Sequence, residues 1–162
     1  MPIFLKRAYE KAVPEDGKRI LVERLWPRGL RKENAKIDEW LKELAPSAGL
    51  RKWYVHDPAK WNQFKIRYRK ELEGKEGALS SLAKESMQNN ITFVFGSKEE
   101  KLNSAAVLKE FIEKLVENTG FNRDRKRESY VQNGQEGSPI RNEARDVGVD
   151  PPKADHIRKL KS

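Results

Sequence analysis

The chain has 162 residues, no cysteine and a formal net charge of +9, from 34 Lys and Arg against 25 Asp and Glu. That length suits one domain with one core. The missing cysteines exclude disulfides, thiol nucleophiles and thiolate metal centres. Two histidines in unlike contexts, His56 and His156, give an imidazole metal site little basis, so no metal and no cofactor is expected. Only a carboxylate Mg²⁺ site stays open.

Charged residues make up 36% of the chain, well above the roughly 25% usual in globular proteins, so the core is expected to be modest, with part of the chain outside it. No apolar run approaches the ~18 residues of a membrane span. No signal-type apolar stretch follows Met1 to Arg7, so a cytoplasmic protein without membrane contact is expected. The basic balance favours anionic partners, either a small phosphate-type ligand or nucleic acid. A solvated, solubilising surface explains it equally well.

In chain order, Ile3-Phe4-Leu5 reads as a first strand, followed by turn formers at Pro14, Asp16 and Gly17. Ile20-Leu21-Val22 predicts a buried strand running on through Glu23, Arg24 and Leu25 until Pro27 and Gly29 stop it. Asn34 is placed to cap a helix carrying Ile37, Trp40, Leu41 and Leu44, ended by Pro46. Ser47 caps a short helix with Leu50, Trp53 and Tyr54. Asp57-Pro58 opens a longer one that lines up Trp61, Phe64, Tyr68 and Leu72 and breaks at Gly74 and Gly77. Residues 78–87 predict another helix.

Ile91 to Phe95 is apolar on both faces, as a central, covered strand requires. Gly96-Ser97 then turns into a helix carrying Ala105, Leu108, Ile112 and Leu115, with Ser97 as its cap. The long helical connection implies a parallel, right-handed crossover. The fold class is therefore α/β: a small, mostly parallel sheet of about three strands covered by helices. Residues 1–118 form that domain. Residues 119–162, clustered in charge and rich in Gly and Pro, read as a basic, weakly ordered tail.

The motifs Arg7 with Tyr9, Glu23-Arg24-Leu25-Trp26-Pro27-Arg28-Gly29, Trp40-Leu41, Ala45-Pro46, Leu50-Arg51-Lys52-Trp53 and His56-Asp57-Pro58 with Trp61, Phe64 and Tyr68 resemble the YeaO-like family, a domain of unknown function. Phe93 to Leu108 is similar to that family's last strand and helix. The resemblance implies a small α/β domain and supplies no reaction. Members often carry a histidine followed by two asparagines where this chain has Leu102, Asn103 and Ser104, so a role for that histidine does not carry over.

Ligands of open parallel sheets bind beyond the C-terminal strand ends. If the two inner strands are parallel, Trp26-Pro27-Arg28-Gly29 and Gly96-Ser97-Lys98 share that edge, with Arg24 and Arg28 near the start of the last helix. Guanidinium groups beside a helix N-terminus bind phosphate or carboxylate. Arg28 is the expected clamp, and Ser97 and Lys98 present backbone donors. Arg7, Arg24, Trp26 and Arg51 complete the candidate ligand set. The competing reading pairs Arg24 with Glu23 or Asp38 and buries Trp26.

His56 and Tyr9 are the candidates for proton transfer. The aromatic positions Trp40, Trp53, Trp61, Phe64 and Tyr68 are read as core, with Lys60, Lys65, Arg67, Arg69 and Lys70 as polar surface. Phosphate-loop, nucleophile-elbow and dinucleotide motifs are absent. The function expected is recognition of a phosphate- or nucleotide-type anion, with the question of catalysis open. The alternatives are a nucleic-acid-binding accessory module using the basic helix and tail, or a protein-interaction scaffold.

Overall fold

A computed structural model describes residues 2–119, and the expected tail lies outside them apart from Thr119. Four strands, β1 (Ile3–Arg7), β2 (Lys18–Leu21), β3 (Glu39–Trp40) and β4 (Ile91–Phe95), form one sheet in the order β1-β4-β2-β3. Every pairing is parallel, with Ile3 and Lys18 both registered on Ile91 and Ile20 on Glu39. The α/β class holds, with four strands where three were expected. β4 is central and buried along its whole length.

Alternation along the strands sorts the side chains onto two faces. Ile3, Ile20, Val22, Ile91, Phe93 and Phe95 enter the main core with residues from four helices. These are α2 (Ala48–Tyr54), α3 (Trp61–Glu73), α4 (Glu76–Gln88) and α5 (Ser104–Asn118). The opposite face, with Arg19, Leu21, Thr92 and Val94, is closed by connecting segments. There Thr92 Oγ1 donates to the Asp16 carbonyl at 2.7 Å. The Arg19 guanidinium donates to Asp16 Oδ2 at 2.6 Å and to the carbonyls of Ala35 and Lys36, both at 3.1 Å.

The predicted caps of the middle helices hold. Ser47 Oγ accepts from Leu50 N at 3.2 Å and donates to Glu71 Oε1 at 2.6 Å, which ties the start of α2 to α3. Asp57 Oδ1 accepts from Ala59 N at 3.0 Å and starts a 3-10 turn, Pro58–Lys60, that leads directly into α3. Of the aromatic residues read as core, Phe64 and Tyr68 are buried, Trp53 and Trp61 pack half-buried against them, and Trp40 lies half-exposed outside the core on the edge strand. Phe64 stacks between Tyr54 (4.3 Å) and Trp61 (5.6 Å), and Tyr68 is fully buried.

Four expectations change. The helix drawn from Asn34 to Leu44 is instead a single turn α1 (Lys32–Ala35), the edge strand β3 and a 3-10 turn Lys42–Leu44. Its apolar spacing was real, but Asp38 and Leu41 donate their N–H groups to the Arg19 and Leu21 carbonyls, and sheet pairing outweighs local periodicity. β2 ends at Leu21, although Val22 N still reaches the Val94 carbonyl at 3.3 Å, and the chain bends from Glu23 onward. Gly77 lies inside α4 and breaks nothing. Ser97 caps no helix. Its hydroxyl accepts from Glu99 N at 3.1 Å, and α5 begins at Ser104 under Asn103, whose Oδ1 accepts from Ala106 N at 3.0 Å.

Candidate functional site

The chain leaves β1, β2 and β4 at the same edge of the sheet, as parallel pairing requires. There the turn after β2 packs onto the turn after β4. A Cβ added to Gly96 would stand 3.1 Å from Glu23 Oε2 and 3.4 Å from Pro27 Cβ, so the two segments meet closely here and a side chain at this position would make Glu23 give by a few tenths of an ångström. Leu30 N donates to the Pro27 carbonyl at 3.4 Å, and Gly29 takes φ +72° at the third position, as a type II turn demands. Trp26 Nε1 donates to the Leu30 carbonyl at 2.6 Å and braces that turn from below, edge-on to Trp40 at 5.5 Å. Trp40 Nε1 in turn donates to the Glu23 carbonyl at 2.6 Å.

The end of β1 closes the other side. Arg7 Nε donates to the Ser97 carbonyl at 3.0 Å, and its guanidinium lies 5.4 Å from the Tyr9 ring. Tyr9 Oη donates to the Arg28 carbonyl at 2.8 Å. Arg28, Tyr9, Arg7, Ser97, Gly96 and Glu23 thus form one connected rim.

Glu23 is the residue that the sequence reading passed over. Burial pushes its carboxyl above the ordinary glutamate range. The N–H groups of Gly96 and Ser97, with Arg51 and His56, pull in the opposite direction without cancelling that push. His56 reaches the site through backbone strain. Val55 (φ +46°) and His56 (φ +54°) follow α2 as two successive left-handed residues, a conformation that costs a non-glycine side chain of this kind about 1–2 kcal/mol each. The bend sets the imidazole 5.4 Å from the Tyr54 ring, within electrostatic reach of both Glu23 and Glu99.

A family model described as the inactive DUF488-N3 subclade matches residues 2–131. The chain belongs to this family. Uncharacterized proteins of Mycobacterium tuberculosis and Mycobacterium bovis are each 39% identical over 110 residues, covering 68% of this chain and 92% of theirs. The uncharacterized protein YeaO of Escherichia coli is 37% identical over 115 residues, 71% of this chain and all of its own. No solved structure gives a significant match. The YeaO-like resemblance read from the motifs is therefore the chain's family.

Within the family frame, the expected site residues fall into two groups. Arg7, Tyr9, Ser97 and the Arg28 carbonyl meet in the rim, Trp26 braces the Pro27–Leu30 turn beside it, and Arg51 and His56 lie within electrostatic reach of Glu23. Lys98 is exposed on the loop beyond Ser97. Arg24 turns outward, its Nε 3.5 Å from the Pro46 carbonyl. It forms no ion pair with Glu23 or Asp38, and Asp38 Oδ2 accepts from Arg19 N instead.

The helix terminus expected at the site is not there, because α5 starts seven residues after Ser97 and its entrance is occupied internally. Asn103 Nδ2 donates to the Glu99 and Glu100 carbonyls, and the Glu99 carboxylate accepts from the N–H groups of Lys101 and Leu102. Those two N–H groups hold Glu99 below its ordinary range. Leu102, where relatives often have histidine, contributes its carbonyl to Tyr54 Oη at 2.9 Å. No cluster of His, Asp and Glu suited to a metal occurs among the described residues, and no helix there is long and apolar enough to cross a membrane.

Proposed function

We propose that the chain is a non-catalytic recognition domain for a small phosphate-type anion, bound at the rim beyond the C-terminal ends of β1, β2 and β4. One observation carries this reading. Arg7 stands at the end of β1 and Arg28 on the turn after β2, with Arg51 on α2 within electrostatic reach of Glu23, and among the described residues none of the three has a carboxylate within 4.0 Å. Without an acidic partner their charge is left for an oxyanion, and Arg7, which gives its Nε to the Ser97 carbonyl, keeps its two terminal nitrogens for one. Arg19, by contrast, is buried and held by Asp16 and two carbonyls.

Two features favour binding over turnover. The matching family model is described as inactive, and Leu102 offers no titratable side chain where relatives often carry histidine. The nucleic-acid alternative has less behind it. On α3 Arg67 lies 4.1 Å from the Trp53 ring, Lys65 lies 5.7 Å from the Trp61 ring, and Arg69 pairs with Glu110 at 2.8 Å. The tail it also needs falls outside the described residues.

Calorimetric titration of the full chain with inorganic phosphate and with phosphate monoesters tests the reading. Arg28→Ala is expected to weaken binding about tenfold, the scale of one charge-assisted hydrogen bond. Affinities left unchanged by that substitution would remove Arg28 from the site.

A further inference from the structure

In the sheet order β1-β4-β2-β3, β4 separates β1 from β2, so those two strands run about 10 Å apart with the exit of β4 between their ends. The segments that follow them nevertheless meet. Tyr9, two residues past the end of β1, donates its hydroxyl to the Arg28 carbonyl at 2.8 Å. The bond makes a strap across the mouth of β4. Pro27 packs against Gly96 along it, and Arg7 Nε donates to the Ser97 carbonyl at 3.0 Å.

Both feet of the strap are stiff. Ala8 N donates to the Phe95 carbonyl at 2.8 Å, Glu10 N to the Arg7 carbonyl at 3.1 Å and Arg7 N to Glu10 Oε1 at 2.9 Å, which locks the turn carrying Tyr9 onto the end of β4. On the other side, the Leu30 N–H and the Trp26 indole brace the turn carrying Arg28. One hydroxyl therefore joins two rigid turns. The carbonyl it holds belongs to Arg28 itself, so the bond fixes the backbone from which that side chain springs. The Tyr9 ring has a second partner. The Arg7 guanidinium lies 5.4 Å from its centroid, a cation–π seat, while Arg7 Nε is held by Ser97. Tyr9 is 48% exposed, so packing in the core does not account for these ties.

We infer that Tyr9 is the positioning residue of the rim: its hydroxyl holds the Arg28 turn and its ring seats the Arg7 guanidinium, so that both arginines are ordered before the anion arrives. The inference rests on the anion reading above and adds how that site is preorganised. Groups ordered in advance spare the ligand part of the entropy that binding costs. Tyr9, a candidate for proton transfer on sequence grounds, thus acts through geometry, its hydroxyl proton being committed to the Arg28 carbonyl.

Amide exchange and calorimetry with inorganic phosphate, both on the full chain, test the inference. Tyr9→Phe removes the hydroxyl and keeps the ring. It is expected to speed exchange at Arg28 to Leu30 about fivefold in the free protein and to weaken phosphate binding about fivefold, with the melting temperature unchanged. Tyr9→Leu also removes the seat of Arg7 and is expected to weaken phosphate further. Arg28→Ala supplies the discriminating background, since it keeps the carbonyl and deletes the side chain. There Tyr9→Phe is expected to speed exchange as before and to leave phosphate affinity where Arg28→Ala alone puts it. Exchange unchanged by Tyr9→Phe would overturn the strap. Wild-type affinity in Tyr9→Phe, or an equal loss in the two backgrounds, would overturn the positioning role and leave the anion site standing. A wild-type chain that binds no phosphate would overturn the anion reading and the positioning role with it.

Discussion

Tyr68 illustrates how a single polar atom can matter in this core. Its ring is fully buried on α3, and its hydroxyl donates to the Leu44 carbonyl at 2.5 Å across to the 3-10 turn. Burial pushes its phenol far above the ordinary tyrosine range, so it is a neutral donor at every pH of interest. Tyr68→Phe keeps the packing and strands the Leu44 carbonyl without a partner. The expected cost is about 1–3 kcal/mol by denaturant unfolding, and a loss below about 0.5 kcal/mol would mean that water replaces the bond. The aromatic spacing made Tyr68 legible as core, but nothing in the sequence marked its hydroxyl partner 24 positions away. Glu23 was missed for a related reason. It lies in a run of exposed-looking charge, Glu23-Arg24, and only the folded proximity of Gly96 reveals that one of the two turns inward.

Among the elements, the end of α2 carries the most strain. Val55 is 68% exposed and left-handed, with its N–H donating to the Arg51 carbonyl, the position where helices usually end in glycine. Val55→Gly removes the Cβ penalty without disturbing a packed side chain. Stability is expected to rise by about 1 kcal/mol, measured by thermal or denaturant unfolding, and a fall would mean that the bend depends on the valine side chain. The elements read correctly were those whose signals were local: Ser47 and Asp57 as caps, Ile91 to Phe95 as a covered strand, and the α3 aromatic face. The failure between residues 34 and 44 came from two residues of sheet pairing, Glu39–Trp40, which are too few to leave a period-two pattern. The start of α5 was misplaced because Ser97 and Asn103 are both competent caps, and the choice between them depends on how the loop 97–103 bonds to itself.

Over the whole molecule, the buried Asp16 and the half-buried Glu23 act on stability in opposite directions as pH changes. The folded state holds Glu23 above its ordinary range, chiefly through burial, so its stabilising contribution is full below the unfolded value of about 4.3 and is lost as pH rises through the raised folded value. For Asp16 burial alone would raise the pKa, but the Val13 N–H, Lys6 and Arg19 outweigh it and hold the group below its ordinary range. Its contribution is present above about pH 3.9 and is lost as pH falls through the depressed folded value. The melting temperature is therefore expected to rise as pH falls through the raised folded value of Glu23, and to drop as pH falls further through the depressed folded value of Asp16. Glu23→Gln should flatten the first limb and spare the second. A wild-type profile without that initial rise would contradict the burial argument. The parallel sheet, the central strand and the meeting of the two turns at one edge were all legible from the order of elements. The fourth strand and the buried Asp16-Arg19 pair were not, because charged side chains carry no sequence mark of being enclosed.

The uneven covering of the sheet has a consequence for motion. Four helices pack one face into a continuous apolar core, while the other is closed by connections held through a few hydrogen bonds to Arg19 and Thr92. Segments with little apolar burial open at lower free energy than the global unfolding transition. The segment from Glu23 to Asp38 belongs to this second layer, and it carries Arg28 along its length. Local breathing of the protein is therefore concentrated where the proposed ligand would sit, and the helical layer behaves as a fixed backing. A ligand held at Arg28 would draw its affinity partly from quieting that layer, so slowed amide exchange from residue 23 to residue 38 is the signature that binding would leave.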